Sequence, residues 1–432
     1  MIPVLKEKFK NSKIIAIHID EKIKNEQELN HDCEKTKFAN SVCKSLYSTD
    51  RAIINNFLEQ EIPDIDIKNI RIIEWRPSLN FYKEAYVSLL SIVVEYLKIT
   101  DAGRRTTSVF GKRWFKNFFK NLKNINKFLL YRQCAFPVII TGSGPSLEQS
   151  LPFIAENQNN FIIIAASSSV TALSSHGIKA DIIIATDGGT WALKHFYPSY
   201  RNNQSLHAPF APVLAVNLCA ALPSQSKNSD FFIINDGSFW QNIVLHEIGL
   251  PSVLIRQTGT VSASAVELAL LLSSANIYLA GLDFSVSDIR THVRPYAFDN
   301  LFFTRANRFN PFYTTCFTRS DLLKKGGSLD IYAAWFKNQY NLWPPKRIFQ
   351  IKEQLTKKKK IKIDLSEFFK TVKVKEDPAS FCKRGVYALS AALKISEYSD
   401  NLLQELKTLL FPEEKNITKQ ELEKELLKEI NY

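Results

Sequence analysis

The chain lacks the signatures of several large protein classes. No stretch approaches the roughly 18 consecutive apolar residues of a membrane-crossing helix. The first twenty residues, MIPVLKEKFKNSKIIAIHID, contain no apolar core followed by a small-residue cleavage site, so no secretory signal is expected. Six cysteines, at 33, 43, 134, 219, 316 and 382, are scattered and none forms a CxxC pair. Neither a disulfide framework nor a zinc ribbon is therefore suggested. A reduced, cytoplasmic setting is the expectation that follows. There is no GxSxG elbow, no HExxH and no metal-spaced His/Cys cluster, so no metal site is expected. Lys and Arg do not interleave with aromatics as in an RNA-recognition motif or a zinc finger, so no nucleic-acid partner is expected. No internal repeat is present.

What is present describes a globular chain. Its 432 residues allow two to four domains. Apolar residues make up 45%, charged residues 23%, and 30 Phe, 15 Tyr and 6 Trp supply ample core material. The net charge is +13. Basic residues gather in GRRTTSVFGKRWFKNFFKNLKNINK (103–127) and in KKKKIK (357–362). Such segments suit a solvated basic face, or contact with an acidic partner or membrane surface.

Three regions are expected. Residues 1–130 read as an α+β accessory region, with strand candidates at 13–19 and 67–75 and helices at 81–99 and 108–130. In the second helix Phe110, Trp114, Phe118, Leu122, Ile125 and Leu129 recur every three or four residues, the spacing of a buried helical face. Residues 131–300 alternate short β-branched runs with helical patterns. The runs are FPVIIT (136–141), FIIIAA (161–166), ADIIIAT (180–186), PVLAVN (212–217), DFFIIN (230–235), SVLIR (252–256) and NIYLAG (276–281). Continuous hydrophobicity fits strands covered on both faces, and strand–helix alternation fits a parallel sheet. The expectation is an α/β fold: a Rossmann-like, doubly wound, mostly parallel sheet. Residues 301–432 read as a mainly helical region. It ends in a helix introduced by a Thr418/Glu421 capping box.

In open parallel sheets, ligands bind beyond the carboxyl ends of the strands. After the first run comes Gly142-Ser143-Gly144-Pro145-Ser146. Its glycines permit close backbone approach, and Ser146 stands at a helix start that favours phosphate. After the second come Ser167 and Ser168, hydroxyls placed to meet a base or ribose. Asp187 and Gly188 follow the third, an acid at a strand tip. Thr258 and Gly259 open a later helix. Asp283 follows the last strand, with His292 nine residues on as a candidate general base. An Asp64–Asp66 pair lies outside the sheet region and reads as a solvated turn.

GSGPSL after a strand, a strand ending in TDGG, and TGTVSASAVELALLLSSANIYLAGLDF, in this order, resemble the motility accessory factor family. That family shares its core with the MptE-like (6-hydroxymethylpterin diphosphokinase-like) domain, and the core also looks like bacterial sialyltransferases. The resemblance covers about 136–300 well and 67–130 loosely. It implies a nucleotide-sugar-binding catalytic core. The implied reaction moves a nonulosonic (sialic-like) acid from a CMP-linked donor to Ser or Thr of flagellin or another protein. It further implies that Gly142, Ser143, Gly144, Pro145 and Ser146 face the phosphate. Ser167 and Ser168 would lie near the nucleotide, with Thr258 and Gly259 in a second binding loop. Gly188 and Asp283 complete the candidate donor contacts. His292 would deprotonate the acceptor hydroxyl, with Asp187 as a second catalytic candidate. No cofactor is expected beyond the donor.

Two alternatives stay open. One is pyrophosphoryl transfer from ATP to a pterin alcohol, which needs Mg²⁺ and would recruit Asp187 and Asp283. The other is a scaffold that keeps the sheet without the chemistry.

Overall fold

The computed structural model describes residues 12–19, 43–62, 69–196, 212–255, 260–325, 328–344, 346–351, 365–374, 377–412 and 417–428, with a few isolated positions besides. Asp64–Asp66, Thr258, Gly259 and the KKKKIK segment lie outside the described residues. The chain divides into two compact units, residues 1–109 and 110–432.

Unit 1 holds two parallel strands, β1 (Ile14–His18) and β2 (Cys43–Tyr47). Helix α1 (Arg51–Glu61) follows, with Asp50 accepting from the amides of Ala52 and Ile53 at 2.9 and 3.0 Å. A short α2 (Arg76–Phe81) comes next. Ile54, Leu58, Ile62, Leu89 and Ile92 form this unit's core. The strand expected over 67–75 does not form in the described residues 69–75. Ile72 and Ile73 are exposed there, with no neighbouring strand to cover them.

Helix α3 (Lys83–Leu122) is one continuous element where the sequence suggested two. It ends earlier than expected. Asn124 turns the chain by donating to Asn121 O at 2.8 Å, and KFLLY then forms β3 (Lys127–Tyr131). Phe115, Phe118, Phe119 and Leu122 are fully buried within unit 2, and Lys112 pairs with Glu425 at 3.0 Å. The apolar stripe of this basic helix is therefore covered by the helix's own unit. No helix among the described residues is long and apolar enough to cross a membrane.

In unit 2 every apolar run becomes a strand: β4 (Val138–Thr141), β5 (Ile162–Ala166), β6 (Ile182–Ala185), β7 (Val213–Asn217), β8 (Phe231–Asn235), β9 (Val253–Leu254) and β10 (Ile277–Ala280). Between them lie α4 (Leu147–Asn157), α5 (Val170–Ser175), α6 (Phe239–Glu247) and α7 (Val261–Leu272). Beyond β10 come α8 (Asp299–Arg305), α9 (Phe312–Lys325) and α10 (Ser328–Leu342). Two more strands follow, β11 (Ile348–Gln350) and β12 (Phe369–Lys373). Then come α11 (Pro378–Ala392), α12 (Ser396–Leu410) and α13 (Lys419–Lys428). The Thr418 capping box forms: Thr418 N–H donates to Glu421 Oε2 at 2.9 Å, and Glu421 N–H to Thr418 Oγ1 at 3.2 Å.

The sheet order is β11-β10-β4-β5-β6-β7-β8-β3-β12, with β9 beside β8. Every pair is parallel except β3–β12. Strands β4 to β8 march outward in chain order, whereas β10 returns to the other side of β4. The order thus reverses between β4 and β10. The loops leaving these two strands lie at their carboxyl ends, where ligand crevices form in open parallel sheets.

Candidate active site

The crevice is built first by backbone. Gly142 N–H donates to Ala280 O and Gly144 N–H to Gly281 O, each at 2.8 Å. A Cβ on Gly142 would stand 2.4 Å from Gly281 O, so only glycine permits this approach. Gly281 itself has φ +68°, a left-handed conformation that glycine adopts freely. Asp283 then reaches across. Its carboxylate accepts from Ser146 N–H at 2.7 Å and from the Ser146 hydroxyl. Ser146 stands at the helix start as expected, but it bonds Asp283 rather than capping α4 itself. Leu147 N–H is taken by Gly144 O at 3.1 Å, and Pro145 has no N–H. Among the described residues from Gly142 to Leu147, Ser143 keeps the one amide free for a ligand.

The second strand tip joins through hydroxyls. Ser168 Oγ donates to Ser143 Oγ at 2.9 Å, and buried Ser169 meets Thr141 Oγ1 at 2.9 Å. Ser167 is buried at the end of β5.

At the third tip, Asp187 is exposed and accepts from Gly189 N–H at 2.7 Å. The following residues form a 3₁₀ turn, Thr190–Phe196, that carries His195. Helix α3 braces this loop from behind. Asn117 donates to Gly188 O and Cys219 O at 3.1 and 3.0 Å, and buried Asn121 to Leu218 O and Ala220 O, both at 2.7 Å. Trp114 lies so close that a Cβ on Gly188 would meet its ring at 2.2 Å.

The segment after β10 is clamped onto the start of α4. Val293 N–H donates to Ser143 O at 2.9 Å, Arg294 N–H to Glu148 Oε1 at 3.1 Å, and Arg290 pairs with Glu148 at 2.8 Å. This clamp sets His292 beside the Gly142–Ser146 loop. The His292 ring stacks on Tyr296, with centroids 4.1 Å apart, and its Nδ1 lies 2.9 Å from Thr291 Oγ1. His195 packs against the same Tyr296 at 5.6 Å and against Phe298 at 5.4 Å. An aromatic wall thus joins the third strand tip to the last.

Electrostatics follow from this burial. Desolvation first, then the Arg319 guanidinium and His195, together hold His292 down to about 4. Desolvation likewise takes His195 to about 4, with Asp187 opposing the shift. Both imidazoles are therefore neutral at pH 7. Burial also raises the Tyr296 phenol and the Asp299 carboxyl.

The structure thus gathers Gly142, Ser143, Gly144, Pro145, Ser146, Ser167, Ser168, Asp283 and His292 along one edge, with Asp187 and Gly188 on the adjoining loop. Sequence reasoning missed His195, Tyr296, Asn121 and Arg319. His195 had a usable signal, since it is one of only seven histidines and follows Asp187 by eight residues in the same strand-tip loop. Tyr296, Asn121 and Arg319 had none, because their roles arise from packing between distant segments.

Residues 112–288 match the family described as 6-hydroxymethylpterin diphosphokinase MptE-like. Two Treponema pallidum (strain Nichols) proteins, each named only as an uncharacterized protein, are similar. One is 29% identical over 287 residues, covering 66% of this chain and 60% of its own length. The other is 22% identical over 247 residues, covering 55% of this chain and 41% of its own length. The chain thus spans about half the length of these curated relatives. Among solved structures, that of the MAf glycosyltransferase from Magnetospirillum magneticum AMB-1 aligns with a TM-score of 0.49 and 13% identity. The alignment covers 99% of this chain and 70% of that one.

Proposed function

We propose that the chain, whose residues 112–288 match the MptE-like family, is a transferase acting on a nucleotide-linked substrate. More narrowly, we infer a glycosyltransferase that moves a nonulosonic acid from a CMP-linked donor to a Ser or Thr hydroxyl of flagellin or another protein. The observation that carries this reading is the neutral His292 held against the Gly142–Ser146 loop at the strand-order reversal.

In the proposed step, the acceptor oxygen attacks the anomeric carbon while its proton passes to the His292 imidazole. The bond from that carbon to the CMP phosphate oxygen breaks, and CMP leaves with the electron pair. Ser143 N–H, with the Ser143 and Ser167 hydroxyls, offers donors for the departing phosphate and its ribose, while Ser168 orients the Ser143 hydroxyl by donating to it. A neutral imidazole is in the correct state to accept a proton. Asp187 acts at one remove, through its field on His195.

The matched family's description also favours a second reading, pyrophosphoryl transfer from Mg²⁺-ATP to a pterin alcohol. In that reaction Asp187 and Asp283 would be needed for metal, yet Asp283 is engaged with Ser146.

Calorimetric titration of CMP, CDP and ATP, each with Mg²⁺ and with EDTA, separates the two. Micromolar CMP binding that survives EDTA and weakens in Gly144→Val supports sugar transfer. Mg²⁺-dependent ATP binding without CMP binding overturns it in favour of the diphosphokinase. Binding of neither would leave the scaffold.

A further inference from the structure

Beside His292 lies a cavity of about 30 Å³, room for one small polar group. Arg290, Arg294, Arg319, His292, Tyr296 and Asp299 are among its lining residues. It is formed by the segment after β10 together with α8 and α9, outside the Gly142–Ser146 loop. Its three guanidinium groups are not equally neutralised. Arg290 is paired with Glu148 at 2.8 Å. Arg294 reaches Cys316 Sγ at 3.7 Å and lies 5.5 Å from the Phe312 ring centroid. Arg319 rests 4.7 Å from the Phe302 centroid and forms no ion pair among the described residues. The acid nearest to it in the lining, Asp299, accepts from Tyr296 N–H at 2.8 Å. The Asp299 carboxyl feels the Arg294 and Arg319 charges but forms no ion pair with either among the described residues, so the planar Arg319 fork at this cavity suits bidentate capture of an oxyanion.

We propose that this cavity is an oxyanion subsite that takes the carboxylate of an acidic sugar, with Arg319 as its direct ligand. The proposal rests on the donor reading above and adds the place where the sugar's charge is held. In a 2-keto sugar acid the carboxylate is carried on the anomeric carbon itself. The receptor for that carboxylate and the base serving the attacking hydroxyl must then be neighbours. Here Arg319 and His292 line the same cavity.

The electrostatics agree. His292 is faced by Tyr296, His195 and Arg319, with Arg290, Arg294 and Asp299 around the cavity and Asp187 behind His195. Arg319 and His195 both disfavour its imidazolium form. A carboxylate bound at Arg319 offsets that repulsion, so the bound anion strengthens the base at the moment it is required. By linkage, anion binding tightens as pH falls through the bound-state pKa of His292.

The test titrates full-length protein carrying ¹³C-labelled histidine with sodium N-acetylneuraminate, and in parallel with inorganic phosphate and CMP. The expected result is that N-acetylneuraminate moves the His292 protonation midpoint upward by at least one unit. In Arg319→Gln its affinity falls at least tenfold while CMP affinity stays within twofold. If Arg319→Gln does not fold, Arg319→Lys carries the test, because it keeps the charge but loses the fork, and at least threefold weakening is expected. Unchanged N-acetylneuraminate affinity in the folded variant, or an unmoved His292, overturns the proposal. Inorganic phosphate binding as tightly and moving His292 as far overturns the carboxylate assignment. Failure of the donor reading is distinguishable, since it shows as absent CMP binding in the unaltered protein.

Discussion

Two loop edges meet at the same end of the sheet and are closed by opposite means. At Gly142–Ser146 the closure is backbone on backbone, with two amides on the Ala280 and Gly281 carbonyls and a carboxylate on Ser146. At His195 and Tyr296 it is ring on ring, with imidazoles on one phenol and guanidinium groups around a small cavity. The first edge leaves little chemistry unsatisfied, since most of its hydrogen-bonding groups are already paired. The second keeps neutral imidazoles in a desolvated place beside Arg319, a cation with no ion pair among the described residues. The glycine-rich motif thus shapes the strand-order reversal, and in the proposed reaction the motif-free aromatic wall supplies the reactive groups.

The comparison breaks most visibly at the base. His292→Gln should lower transfer by about 10²–10⁴-fold, the usual worth of a positioned general base, with little change in thermal midpoint. Single-turnover kinetics alongside calorimetry check this, and an undiminished rate removes His292 from the mechanism.

Gly142→Ala should do the reverse. Its Cβ would sit 2.4 Å from the Gly281 carbonyl, so a destabilisation of about 1–3 kcal/mol is expected from overpacking. The thermal midpoint should fall even in the absence of substrate.

A smaller effect separates the edges further. Asp283→Asn weakens the charge-assisted bonds to Ser146 and should cost about 1 kcal/mol. The histidine titrations should stay in place, because neither imidazole draws its shift from Asp283. An altered His292 midpoint in this variant would mean that the two edges are one electrostatic unit.

A further expected effect is the pH dependence of stability. Free imidazoles titrate near 6.5, whereas His195 and His292 titrate near 4 in the fold. Between these values the unfolded chain binds more protons than the native one. Stability is therefore lost as pH falls from about 6.5 to 4. Thermal midpoints measured across this window should fall less in His292→Gln than in the unaltered protein.

Much of the sheet was legible because buried parallel strands are written locally. Runs such as FIIIAA and DFFIIN are apolar throughout, and each became a strand covered on both faces. The same local rules misplaced the end of α3. Its apolar stripe continues through Ile125 and Leu129, and pairing with β8 and β12 turned the last part into β3. The C-terminal third read as mainly helical with room for a strand in KKKKIKIDLSEFF (357–369), and it contributes β11 and, from Phe369 onward, β12 to the sheet. These strands are short and gain their partners from residues far away in sequence.

Composition and periodicity by themselves determined the α/β class, the strands β4 to β10 and the loops at their carboxyl ends. These depend on apolar runs and turn residues within a few positions of one another. Tertiary structure alone decided that β10 returns beside β4 and that Asp283 holds Ser146. It also decided that His195, His292 and Arg319 converge around Tyr296. Those contacts join segments up to 139 residues apart, as in the pairing of Val138 with Ile277. Desolvation and the field of a neighbouring guanidinium act through space, so a reading of adjacent residues does not contain them.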